Sequence, residues 1–102
     1  MPLIVDKAQT DTQRQILKLI FSRQTMGRPF VAPPGIPADR RDALRAAFDQ
    51  AMKDPGLLAD AEQSKLEINP VGGAAIHALV EDLYRTPPDV VAQARKAVEG
   101  AR

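Results

Sequence analysis

The stretch Gly35-Ile36-Pro37-Ala38-Asp39-Arg40-Arg41-Asp42-Ala43-Leu44-Arg45-Ala46-Ala47-Phe48, residues 35–48, decides how the rest of this chain is read. A proline has the locked φ and missing donor that suit a first helical position, and Asp39 and Asp42 follow where the helix dipole favours acids. Leu44, Ala47, Phe48 and Ala51 then repeat at the 3.6-residue period of one helical face. The spacing predicts a helix from about Pro37 to Lys53, with Phe48 as its anchor and Asp49 to Lys53 as an i,i+4 ion pair.

The same grammar recurs on both sides. Upstream, Thr10 or Asp11 can cap a helix carrying Ile16, Leu17, Ile20 and Phe21, and Gly27 is suited to stop it. Between Gly27 and residue 35 lies Arg28-Pro29-Phe30-Val31-Ala32-Pro33-Pro34, an extended crossover at about 28–35 whose bulky contents are Phe30 and Val31. Downstream, Asp54-Pro55 pairs an N-cap acid with a proline at N1, opening a short helix with Leu57, Leu58 and Ala61. Leu66-Glu67-Ile68 alternates like a brief strand closed by Asn69-Pro70, and Gly72-Gly73 turns the chain. Ile76, Leu79, Val80 and Leu83 mark a fourth helix, from about Ala74 to Arg85. Thr86-Pro87-Pro88-Asp89 starts a fifth, bearing Val90, Val91, Ala94 and Val98. The expectation is one mainly α domain over 1–102, with about five helices and one or two short strands.

Composition narrows the function classes. The 102 residues are 44% hydrophobic and 26% charged, the range of an ordinary globular domain, and no apolar run approaches the roughly 20 residues that span a bilayer. A formal charge of +1 gives no broad positive face, so nucleic acid is not an expected partner. With no cysteine there is no disulfide, thiolate nucleophile or zinc knuckle. The start lacks a basic n-region and an h-region, which reads as cytoplasmic for the chain as written.

Nothing in the motifs points to catalysis, and no enzyme, metal or cofactor is expected. His77, the only histidine, sits one position off the apolar stripe with Glu81 a turn later, the pattern of a solvent-side pair. The acids Asp39, Asp42 and Asp49, interleaved with Arg40, Arg41, Arg45 and Lys53, read as a solvated charged face. Three residues remain as ligand candidates. Arg28, on a fixed backbone, suits either a carboxylate ligand or a structural tie to an acidic neighbour. Gly72 and Gly73 suit either an anion held by free N–H groups or a tight turn into a helix.

The order Gly27-Arg28-Pro29-Phe30-Val31-Ala32-Pro33-Pro34-Gly35-Ile36-Pro37-Ala38-Asp39-Arg40, then Leu44 to Phe48, Lys53-Asp54-Pro55, Leu66 to Gly73 and Leu83-Tyr84-Arg85-Thr86-Pro87-Pro88, resembles the carboxy-terminal part of one transport family. It is similar to the solute-binding receptors of tripartite tricarboxylate transporters, the Bug or TctC family. The resemblance implies the closing part of a two-lobed α/β periplasmic binding protein that captures small carboxylates for a membrane permease. It places here a crossover and helices that pack on a sheet. Ligand contacts in that family come chiefly from strand-to-helix loops of the amino-terminal part, so no matched position becomes a binding residue and no complete cleft is expected. Helices shaped to cover a sheet must bury their apolar faces on one another or on another copy. A truncated or stand-alone receptor relative that dimerises by exchanging its first helix and crossover is one expectation; a small helical protein–protein interaction module without a ligand is the other.

Overall fold

The computed structural model describes residues 3–101 and is mainly helical. A 3-10 turn at Ile4–Lys7 precedes five α-helices, α1 (Asp11–Met26), α2 (Ala38–Ala51), α3 (Pro55–Gln63), α4 (Gly73–Tyr84) and α5 (Pro88–Glu99). The chain divides into two compact units, one taking the residues up to Gly27 and from His77 onward, the other Arg28–Ile76. No helix among the described residues is long and apolar enough to cross a membrane.

In the first unit, α1 starts where its cap predicts. Thr10 is extended, at φ −129 and ψ 157, and its hydroxyl accepts from the Gln13 N–H at 3.2 Å. Gln13 reaches back to accept from the Gln9 N–H at 2.9 Å, so one first-turn donor and the amide just before the cap are both met locally. Gly27 ends the helix at φ 56, a conformation costly for a residue with a Cβ, and its N–H donates to the Arg23 carbonyl. The 3-10 turn and α5 both pack on α1. The most shielded residues of this unit, Ser22, Val90 and Ala94, are all small. Ser22 would be a costly buried hydroxyl, but it donates to the Leu19 carbonyl at 2.9 Å within its own helix. Val90 and Ala94, four residues apart, lie on one face of α5, whereas Val91 and Val98 from the same predicted stripe are 37% and 45% exposed. Lys18 of α1 and Asp82 of α4 form an exposed ion pair at 3.1 Å, a contact of the kind that contributes at most ~1 kcal/mol.

In the second unit the proline positions split into two kinds. Pro55 and Pro88 of the other unit are first helical residues, as the sequence predicts. Pro37 is not: its ψ of 142 leaves it extended at the N-cap, where its carbonyl accepts from the Arg41 N–H at 3.0 Å. The helix therefore starts at Ala38, with Pro37 contributing an acceptor rather than a helical φ. Lys53 falls beyond the end of α2, out of helical register with Asp49, and the expected Asp49–Lys53 pair is not among the ion pairs of the described residues.

The expected strand at Leu66-Glu67-Ile68 is also not formed, and no strand occurs among the described residues. The reason lies at the end of α3. Lys65 adopts φ 54, its N–H donates to the Glu62 carbonyl at 3.1 Å, and the Leu66 N–H donates to the Ala61 carbonyl at 2.8 Å. This is the paired 5→2 and 6→1 hydrogen bonding of a Schellman cap, which consumes the amide a strand would have offered. Ala61 is the buried apolar residue of this unit, and the rings of Phe30 and Phe48 meet at 5.9 Å and 57°.

Among the described residues no large side chain is fully buried, while Leu3, Ile4, Leu44, Leu66 and Tyr84 are each at least half exposed.

Two substitutions test this account. Lys65→Gly removes the cost of a side chain in the left-handed region and should raise stability by about 0.5–1 kcal/mol, read as a higher urea midpoint. Ala94→Leu overfills the seam between α1 and α5 and should lower it by about 1–3 kcal/mol.

Candidate functional site

The three ligand candidates all fall in the second unit, and the structure treats them differently. Arg28 is exposed, and neither an ion pair nor a side-chain hydrogen bond holds it among the described residues. The structural tie to an acidic neighbour is therefore not made. No hydrogen bond among the described residues joins it to the two glycines either.

Gly72 and Gly73 are half-buried at the start of α4. The Gly72 carbonyl accepts from the Ile76 N–H at 3.1 Å and so begins the helix. A Cβ placed on Gly73 would lie 2.6 Å from Arg45 Nε and 3.0 Å from both Arg45 Cγ and Cδ. Arg45 thus lays its stem directly over bare backbone, an approach that only glycine permits. A Cβ on Gly72 would stand 3.9 Å from Asp49 Oδ1. Arg45 and Asp49 are one turn apart on α2, so both reach the same glycine pair.

The electrostatics follow from that placement. The first N–H groups of α4 carry a partial positive charge, and a guanidinium beside them is a repulsive neighbour. The Asp49 carboxylate is the acidic group closest to this glycine pair, and neither an ion pair nor a side-chain hydrogen bond of Asp49 is present among the described residues.

Arg45 is the residue that sequence reasoning missed. It was grouped with the solvated face of α2, yet it is half-buried, while Arg41 and Asp42 of that face are exposed and pair with each other at 3.0 Å. The signal that could have found it is the doubled glycine itself, since bare backbone at a helix start invites a neighbouring side chain to lie across it. His77 and Glu81 form the solvent-side pair expected of them, Nε2 to Oε1 at 3.4 Å, both exposed. Among the described residues no group of three or more His, Cys, Asp or Glu is placed to hold a metal ion.

A double-mutant cycle measures the Gly73–Arg45 approach. In an Arg45→Ala background, Gly73→Ala should stabilise by up to about 1 kcal/mol through helix propensity. In the native background the clash should cancel most of that gain, and equal effects in both backgrounds would show that the contact carries no energy.

Comparisons with protein-family models, with curated proteins and with solved structures found no match.

Proposed function

We propose that this chain serves in carboxylate uptake as the carboxy-terminal portion of a solute receptor of the Bug/TctC kind, supplying the crossover and sheet-covering helices rather than the ligand cleft. The observation that carries the reading is a mismatch between local order and burial. The helices have well-made ends, including the Thr10 cap, the Asp54 side chain accepting from the Leu57 N–H at 3.0 Å, and the Schellman cap at Lys65, yet their apolar residues are left open. Leu44 is 60% exposed and Leu66 65%. Such faces suit an α/β layer in which a sheet supplies the missing cover. The proline-marked order of residues 27–40 and 83–88 supports the same reading.

In this role the chain meets a small di- or tricarboxylate only together with the amino-terminal lobe, and the membrane permease is a partner of the assembled receptor. Arg28, Gly72 and Gly73 are then crossover and turn residues, not ligand contacts. No catalytic step is part of this function.

A second reading is favoured by the bare side chains of Phe30 and Tyr84, 89% and 88% exposed. Large aromatics in that state are typical anchors of protein–protein contacts, so the chain would act as a helical interaction module with no small-molecule ligand.

Titration calorimetry separates the two. The folded chain alone should give no heat with citrate, succinate or other di- and tricarboxylates. Co-purified with the amino-terminal portion of a Bug-type receptor, it should bind at least one of them. A folded co-complex that is silent to the whole panel would reject the receptor reading and leave the interaction module.

A further inference from the structure

Phe30 and Val31 stand side by side at 89% and 86% exposure on the segment held by Pro29, Pro33 and Pro34. The Phe30 and Phe48 rings lie 5.9 Å apart at a tilt of 57°, and Phe30 stays largely in solvent. In the same unit Ala47, Gln50, Ala51, Asp54 and Leu57 line a shallow, open hollow of about 420 Å³ where α2 gives way to α3.

We propose that this hollow receives Phe30 and Val31 of a second copy of the chain, and that the exchange is reciprocal, forming a two-fold dimer. Both halves of the contact lie in one unit, so a two-fold axis uses each of them twice, the self-complementarity that a closed dimer requires.

Charge also matches. Arg28 is the only charged residue of the segment 28–35, two residues before Phe30, and Asp54 is the only charged residue lining the hollow. Asp54 Oδ1 is taken by the Leu57 N–H at 3.0 Å, which leaves Oδ2 for the partner's guanidinium. The prolines restrict the arm before it docks, so little further backbone entropy is lost on association. The dimer does not depend on the receptor reading.

The chain has no cysteine, so introduced thiols report the contact without background. Sedimentation equilibrium of the native chain at tens of micromolar should give twice the 11.1 kDa monomer mass. The double variant Phe30→Ser, Val31→Ser changes only exposed side chains, and it should keep the helical circular dichroism while weakening association at least 100-fold. Arg28→Glu should weaken it about tenfold. Val31→Cys chains mixed with Ala51→Cys chains should yield a 31–51 disulfide under mild oxidation, which requires Cα atoms within about 7 Å. A native chain that stays monomeric at every concentration would overturn the proposal. So would a dimer indifferent to the double serine variant, or thiols that join 31 to 31 and never to 51. A monomer that binds the amino-terminal portion of a Bug-type receptor through the hollow would assign that site to the receptor lobe instead.

Discussion

The first unit depends on the contact between α1 and α5. The side chains most shielded on these two helices, Ser22, Val90 and Ala94, are small, and the Ser22 hydroxyl is satisfied by the Leu19 carbonyl of its own helix. That contact brings sequence-distant ends of the chain, residues 11–26 and 88–99, into one unit. Around the seam, Ile16, Leu17, Ile20 and Phe21 of α1 and Leu79, Val80 and Leu83 of α4 are partly buried, and these larger side chains remove most of the apolar area the unit takes from water.

The second unit is held by a different means. Its order comes from chain-local devices: prolines that restrict φ, an Asp54 cap on α3, and a Schellman cap that places Lys65 in the left-handed region. These define where elements begin and end but bury almost nothing. Ala61 is its one buried apolar residue, and the Phe30–Phe48 contact leaves most of Phe30 in solvent. The ends of its helices are thus better defined than its packing, and Leu44 and Leu66 stay 60% and 65% exposed.

Around Gly72-Gly73 the Arg45 stem lies over bare backbone, 2.6 Å from where a Cβ on Gly73 would stand, so glycine at that position is a steric requirement of the neighbour. Arg28, which the proline-rich segment presents to solvent, contributes its charge away from that corner and next to the bare Phe30-Val31 pair.

Element boundaries were legible in the sequence because they arise within a few residues: Thr10 caps α1, Gly27 stops it, Pro55 and Pro88 open α3 and α5. Even the misreadings were local competitions, as when the α3 cap took the Leu66 amide from a strand, or when Pro37 contributed a carbonyl instead of a helical φ. Burial was not legible. The clearest apolar stripe, Ile76, Leu79, Val80 and Leu83 of α4, ends half-exposed, whereas α5 buries Val90 and Ala94. A stripe states only that a helix has an apolar side. By itself the sequence determined where the backbone turns and which residues share a face, since proline, glycine and capping side chains act on their own neighbours. Only the tertiary structure decided which faces meet and that Arg45 lies across Gly73, because burial is a property of two surfaces and the chain specifies them one at a time.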